Sequence, residues 1–156
     1  METKHGRGYV YAIEYHVVWC VKYRHRVLGG EIADYLKELL IETAIHYGFK
    51  VETLEIVEDH VHALVSATPQ HTIPNIVKVL KGVSARKLFL RFPQLKNKLW
   101  GGESSAVLGS PQVEQLANPK GHLWNPSYFV ATVSENTETQ VKKYIENQNV
   151  KAPESV

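Results

Sequence analysis

The chain has 156 residues, of which 44% are hydrophobic and 22% charged, and this favours one globular domain with an ordinary buried core. Its single cysteine, Cys20, excludes an internal disulfide, and no stretch is long and apolar enough to cross a membrane, so we expect a cytoplasmic protein. The net charge of +2 hides an asymmetry, because residues 60–102 contain basic side chains and no acidic one. This stretch suggests a surface for a polyanion, although a solvated basic face explains it equally well.

Seven elements are predicted, in the order strand, helix, strand, strand, helix, strand, helix. The aromatic and β-branched residues 8–21 predict the first strand, and apolar residues at helical spacing predict a helix that ends at Gly48. The remaining elements are predicted at residues 50–57, 60–67, 73–91 and 128–133, and from a cap at Ser134 or Thr137 to about residue 149.

The first six elements match the ferredoxin-like or RRM-like βαββαβ arrangement, which is an α+β fold. We therefore expect one four-stranded antiparallel sheet with helices on one face, an extra C-terminal helix, and a second face free for a ligand or partner. Residues 103–122 do not fit this rhythm and predict a long surface loop inserted into a single domain of residues 1–150, followed by a tail at 151–156. The first strand, residues 9–20, is apolar and poor in charge, so we expect it to be an edge that pairs with a second copy.

Two histidines occupy alternate positions of the third predicted strand. His60 and His62 should point to one face, because side chains two apart on a strand share a face, while Val61 faces the core. Two adjacent imidazoles form half of a metal site, although a polar strand surface explains the pair about as well.

The last predicted helix carries Tyr144 and Gln148, which are four apart and share one helical face. The amide oxygen of Gln148 is a hard ligand suited to Mg²⁺ or Mn²⁺, so a site with His60 and His62 would place Tyr144 one turn from the metal. A half-buried tyrosine and a solvated glutamine are the simpler interpretation of this helix taken alone. A tyrosine nucleophile conserves phosphodiester bond energy as a phosphotyrosine, and a metal would assist a phenol whose pKa is about 10.

Seven segments resemble a known family: GRGY at 6–9, YHVVWCVKYR at 15–24, DHVH at 59–62, LKGVS at 80–84, LWGG at 99–102, LWNPSY at 123–128 and KYIENQ at 143–148. They run across nearly the whole chain in the order typical of TnpA-type transposases of small bacterial insertion sequences, the HUH (His-hydrophobic-His) single-tyrosine class. The family usually passes almost directly from Trp-Gly-Gly to Leu-Trp-Asn-Pro, whereas residues 103–122 intervene here.

The resemblance implies that His60, His62 and Gln148 bind a divalent metal, most simply Mg²⁺, and that Tyr144 is the nucleophile. It also implies binding to hairpins at the ends of a mobile element, which are cut and rejoined as single strands. Finally, it implies a homodimer in which the tyrosine helix of one subunit completes the active site of the other.

Other residues have weaker signals. Candidate DNA contacts lie at the end of the first strand and on the second helix, and they are Lys22, Arg24, Lys78, Lys81, Gly82 and Arg86. Tyr128 is a rival nucleophile, ranked below Tyr144 because it lies on a strand without a ligand partner. We attribute His16 and Trp19 to sheet packing and Asp59 to the turn before His60.

Three functions remain open from the sequence. Besides the transposase, they are a non-catalytic nucleic-acid-binding module of RRM-like fold and a metal-dependent phosphodiesterase that releases a free product. A domesticated, repeat-associated relative of the transposases is a variant of the first. A cleavage assay on single-stranded DNA separates a covalent adduct, released ends and no cutting.

Overall fold

The structure is a computed structural model that describes residues 3–100, 122–133 and 137–147. Residues 103–121 of the predicted loop, the cap at Ser134, the tail and the proposed ligand Gln148 lie outside these residues. No helix in the described ranges is long and apolar enough to cross a membrane.

The predicted four-stranded antiparallel sheet is confirmed. Its strands are β3 (Glu14–Cys20), β4 (Lys50–Val57), β5 (His60–Ser66) and β6 (Phe129–Thr132), in the order β4-β5-β3-β6. Strand β3 pairs with β5 along its whole length, from Glu14 opposite Ser66 to Cys20 opposite His60. The tight turn predicted between β4 and β5 is also confirmed.

Within the described residues, three helices lie on the side of the sheet that carries the apolar core. They are α1 (Glu31–His46), α2 (Ile73–Arg91) and α3 (Gln94–Trp100). Helices α1 and α2 have the predicted positions, whereas α3 is a short helix that the sequence analysis missed. The Thr72 side chain caps α2 by accepting a hydrogen bond from the Asn75 backbone, and Pro74 stands in the first turn, where its missing N–H costs no helical bond.

The alternation of β5 divides the sheet into two faces. Val61, Ala63 and Val65 are buried in the apolar core with residues of α1 and α2, and this side is the helix-bearing face. His60 and His62 point to the opposite side, the open face, as predicted. The last helix, Thr137–Asn147, contacts β3 and β6, and we call it the tyrosine helix. It packs on the open face, which is therefore partly covered by the chain itself.

The prediction of one long first strand is wrong. Its beginning, Tyr9–Tyr11 (β2), pairs with Lys4–Gly6 (β1) in a separate two-stranded hairpin. Strand β3 is an inner strand between β5 and β6, so it cannot be the dimer edge expected from its apolar composition. The edge strands of the sheet are β4 and the short β6, which each have one hydrogen-bonded neighbour. A strand with two such neighbours has no free backbone groups for pairing with a second chain.

Candidate active site

A buried carboxylate supports the first histidine of the pair. The Nδ1 of His60 lies 2.8 Å from Oδ1 of Asp59. Because an ionised carboxylate only accepts hydrogen bonds, this contact places the proton on Nδ1 and leaves Nε2 as the lone-pair nitrogen. Arg24 binds the other oxygen of Asp59 through two nitrogens, at 2.9 and 2.7 Å. Burial by itself would raise the pKa of Asp59, but the hydrogen bonds from His60 and Arg24 and the charge of Arg24 outweigh it and lower the pKa.

The second histidine is paired with a histidine of the neighbouring strand. His16 Nδ1 and His62 Nε2 are 3.0 Å apart, so one ring donates an N–H to the other. The two rings are tilted, with centroids 5.2 Å apart. His16 lies on the open face because Val17 and Trp19 alternate with it into the core. The open face therefore carries three imidazoles.

Arg24 reaches this site from a strained turn. The 3-10 turn Lys22–Arg24 follows β3, and both Tyr23 and Arg24 have positive φ, 56° and 57°. Non-glycine residues in this region cost of order 1–3 kcal/mol each and persist only where the surroundings compensate. Backbone contacts hold the turn, including the bond from the Lys22 N–H to the Leu123 carbonyl at 2.9 Å. Strained backbone of this kind is typical of functional positions, and here it sets the direction of the Arg24 side chain.

Tyr144 lies on the open face, over the edge strand β6. Its ring packs against Phe129 with centroids 5.2 Å apart. Phe129 is opposite Val18 on β3, and Val18 is opposite His62 on β5, so these three residues form one cross-strand row on the open face. Because neighbouring strands are about 4.8 Å apart, the Phe129 backbone lies about 10 Å from that of His62.

The hydroxyl of Tyr144 has one polar partner within the described residues, the Ser127 hydroxyl at 3.3 Å. Burial raises the pKa of the phenol, and the hydrogen bond with Ser127 opposes this only in part. The phenol is therefore protonated at neutral pH, and its nucleophilicity depends on help from the site.

The segment that carries Ser127 is held by α2. The Lys81 ammonium donates to the backbone carbonyls of Asn125, at 2.6 Å, and Ser127, at 3.3 Å. The Asn125 side-chain oxygen accepts from both the N–H and the hydroxyl of Ser127 at 2.9 Å. Burial lowers the pKa of Lys81 to about 8, with a partial offset from Cys20. Lys81 thus positions the partner of Tyr144 through the backbone.

The donor chemistry of the pair fits a divalent metal. The Asp59–His60 contact is the carboxylate–histidine arrangement that orients metal-binding imidazoles, with Nε2 of His60 left as the ligand atom. At His62, the Nε2 atom is hydrogen-bonded to Nδ1 of His16, so a metal bound to this Nε2 would compete with that hydrogen bond. No group of three His, Cys, Asp or Glu side chains in the described ranges is placed to hold a metal.

The family model for IS200-like transposases matches residues 9–106 and 102–148, which together cover most of the chain.

The chain belongs to the IS200-like transposase family.

Among its relatives, the transposase is 54% identical over 151 residues to the ISDra2 transposase TnpA of Deinococcus radiodurans, and the alignment covers 97% of this chain and 94% of the relative. It is 26% identical over 135 residues to the transposase of insertion sequence element IS200 of Salmonella typhimurium, covering 86% of this chain and 76% of that protein. A crystal structure described as a transposase of Deinococcus radiodurans R1 superposes with a TM-score of 0.77 at 50% identity, over 93% of this chain and 97% of the other. These findings confirm the resemblance and assign the chain to DNA transposition.

The candidate DNA contacts of the transposase differ in their exposure. Arg24 and Lys81 are partly buried and hold other parts of the site. Lys78 and Arg86 are exposed on α2, and Arg86 lines a surface cavity of about 410 Å³ between α1 and α2. Lys22 is half-buried at the end of β3. Their contacts with DNA stay predictions.

Gly82 lies on the exposed side of α2, beside a smaller cavity of about 290 Å³ that is also lined by Phe89, Trp124 and Pro126. A Cβ added at Gly82 would meet no atom of the described residues within 4 Å. Packing against the described residues therefore does not require this glycine, and its contact with DNA stays a prediction.

Three residues of the site have no predicted role in it. His16 was attributed to packing, although the alternation of Val17 and Trp19 already directed it to the open face. Asp59 was attributed to its turn, although it directly precedes His60 and is buried against it. Ser127 has no signal of its own in the sequence, because its role depends on a helix that begins ten residues later.

Proposed function

We propose that the transposase cuts and rejoins single-stranded DNA at the ends of its insertion sequence through a covalent bond to Tyr144. The observation that carries this proposal is the placement of Tyr144 on the open face, in contact with the cross-strand row that contains His62. A nucleophile and a pair of metal-binding imidazoles on one surface can act on one phosphate.

The proposed reaction is a transesterification. The Tyr144 hydroxyl oxygen bonds to the phosphorus of a phosphodiester, and the bond from phosphorus to one deoxyribose oxygen breaks. The departing oxygen takes up a proton in place of the one that the phenol gives up, so a phosphotyrosine and a free DNA hydroxyl result. Attack by a DNA hydroxyl on the phosphotyrosine reverses these changes, and rejoining needs no nucleotide cofactor.

The rival tyrosine lies on the other side of the sheet. Tyr128 is partly buried against the apolar core, as is Val130 two residues later. Phe129 between them faces Tyr144. Because alternate strand residues point to opposite faces, Tyr128 cannot share a surface with His60 and His62 without a change of register. This supports Tyr144 as the nucleophile.

The ligands proposed for the metal are His60, His62 and Gln148, and the proposed metal is Mg²⁺, with Mn²⁺ as a substitute. Such an ion, when bound, would neutralise charge on the phosphoryl oxygens. The chain itself contributes the orientation of His60 by Asp59 and the placement of Ser127 beside the phenol. Since the three ligands are neutral, the site would favour an anionic substrate.

The substrate in this proposal is DNA with hairpins at the ends of the element. Exposed cations on α2, among them Lys78 and Arg86, offer a surface for the phosphate backbone. The reaction requires access to chromosomal DNA, so the cytoplasmic location expected from the sequence belongs to the same proposal.

A homodimer with shared active sites is the last part of the proposal. It rests on the family resemblance. Within a single chain, the tyrosine helix packs on the four-stranded sheet of that same chain, where it contacts β3 and β6. The chain between Val133 and Thr137 would have to pass to the partner for the tyrosine to act across the interface.

The decisive experiment incubates the protein with labelled single-stranded oligonucleotides that cover the flanks of its own gene, with Mg²⁺ or with EDTA. Denaturing electrophoresis should show a Mg²⁺-dependent protein–DNA adduct, and peptide mapping should place it on Tyr144. Released ends without an adduct would indicate a hydrolase, and binding without cutting would indicate a non-catalytic module.

The shared site is tested by mixing two inactive proteins, Tyr144→Phe and the double variant His60→Ala/His62→Ala. In a mixed dimer, intact histidines meet an intact tyrosine only if the helix acts across the interface. Recovery of adduct formation supports the shared site. No recovery, with subunit exchange shown separately by labelled subunits, would mean that each chain builds its own site.

A further inference from the structure

Arg24 connects the histidine pair to the tyrosine helix. Its Nε and one terminal nitrogen bind Asp59, which in turn binds His60. Its other terminal nitrogen donates a hydrogen bond of 2.6 Å to the backbone carbonyl of Ile145, the residue after Tyr144. One side chain thus contacts the support of the first proposed metal ligand and the backbone beside the proposed nucleophile.

The geometry favours this internal role over a role in gripping DNA. The Arg24 side chain is only 16% exposed, and all three of its nitrogens have partners within the chain. The strained backbone at Tyr23 and Arg24 directs the side chain to these partners. Only a planar guanidinium can bind a carboxylate through two nitrogens and still reach a third partner.

We propose that Arg24 is a positioning residue that fastens the tyrosine helix lying on its sheet at a set place relative to His60, so that Tyr144 and the histidine pair act on the same phosphate. In a dimer with shared active sites, exchange of the two tyrosine helices would reproduce this contact between the subunits. Because Arg24 binds the backbone carbonyl of Ile145, the contact fixes the position of the helix and does not depend on the side chain at position 145. The catalytic part of this inference rests on the proposed function, whereas the fastening of the helix does not.

Two variants of Arg24 and a matched control test the proposal. Arg24→Met keeps most of the side-chain volume and loses every hydrogen bond, whereas Arg24→Lys keeps the charge next to Asp59 but cannot reach both partners. Arg26→Met is the control, because Arg26 also pairs with an acidic residue, Glu58, but on the surface, with 76% of its side chain exposed.

The first measurement is hydrogen–deuterium exchange of the whole protein without DNA. In both Arg24 variants, peptides from residues 137–147 should exchange roughly tenfold faster, as expected for the loss of a hydrogen bond from a charged donor. In Arg24→Lys, which keeps a cation beside Asp59, peptides from α1 should be unchanged, and so should all peptides of Arg26→Met. Since Arg24→Lys retains a cation beside Asp59, its thermal stability should stay closer to that of the parent than that of Arg24→Met.

The second measurement is adduct formation in a single turnover, together with the affinity for the same DNA. Both Arg24 variants should form the adduct at least about tenfold more slowly with unchanged DNA affinity. Unchanged exchange in the tyrosine helix would overturn the proposal, and so would faster exchange with a normal rate of adduct formation. Weaker DNA binding with an unchanged helix would make Arg24 a DNA contact instead. If the parent protein forms no adduct, the proposed function fails, while the exchange measurement still decides whether Arg24 fastens the helix.

Discussion

The two faces of the sheet are formed by the same strands, but one face is packed in the apolar core and the other carries the proposed chemistry. On the helix-bearing face, Trp19 and Val61 are fully buried among apolar side chains of α1 and α2, where packing is the main stabilising term. On the open face, a network of hydrogen bonds links His60 through Asp59 and Arg24 to the tyrosine helix. His62, two residues later, pairs with His16. A substitution at one position of β5 is therefore expected to change the stability of the fold, and a substitution at the next position to change the proposed chemistry.

The largest expected effect is on the open face, at the nucleophile. Tyr144→Phe should reduce adduct formation by at least about 1000-fold, because it removes the attacking oxygen and nothing else. The free energy of unfolding should change little, since the ring keeps its contact with Phe129. Single-turnover cleavage and urea denaturation measure the two quantities. Tyr128→Phe is the matched control and should retain activity, and an adduct in Tyr144→Phe would move the nucleophile elsewhere.

Adjacent residues of β5 give the sharpest contrast between the faces. His62→Ala should lower metal-dependent cleavage at least about 100-fold with a small effect on folding, because a proposed ligand is lost from a half-buried position. Val61→Ala should lower the free energy of unfolding by about 2 kcal/mol and leave cleavage intact at a temperature where it is folded, because it opens a cavity in the core. The reverse pattern would show that the faces have been assigned the wrong way round.

The support beneath His60 should contribute to stability as well as to activity. Asp59→Asn should lower the free energy of unfolding at pH 7 by about 3 kcal/mol, because Arg24 loses its ionic partner in a buried position. The pKa of Asp59 is lowered in the folded protein, so its stabilising effect is fully present above the usual value of 3.8 and disappears as the pH falls through the folded value. Denaturation curves at pH 7, 5 and 3 should show an equal difference from the parent at the first two values and a smaller one at the third. A difference that persists unchanged at pH 3 would contradict the ion pair.

The smallest effect is expected outside the network, on the exposed side of α2. Lys78→Ala should reduce the slope of log affinity against log salt by about 0.7, the contribution of one phosphate contact on a single strand. Cleavage of bound DNA should proceed at the parent rate. Lys81→Ala should act differently, since it also releases the carbonyls of Asn125 and Ser127. An unchanged slope in the double variant Lys78→Ala/Lys81→Ala would place the DNA on another surface.

Local patterns predicted the elements more reliably than their neighbours in space. Helices α1 and α2 follow apolar spacing within each helix and an end signal beside it, and both are confirmed. The first strand has the composition of one strand, yet it is divided between a hairpin and β3, because pairing partners and not propensity decide where a strand ends. The expected dimer edge was wrong for the same reason, since apolar composition is as typical of an inner strand as of an exposed edge.

By itself, the sequence determined the fold class, the family and the face on which His60 and His62 lie, because two-residue alternation is a local property of a strand. Only the tertiary structure showed that Asp59 and Arg24 support His60, that His16 pairs with His62, and that Ile145 receives a bond from a residue 121 positions away. Contacts of this kind depend on how separate elements pack, and each partner has an adequate local explanation of its own. Asp59 suits a turn and Arg24 suits a solvated strand end, so their common function becomes visible only when the chain brings them together.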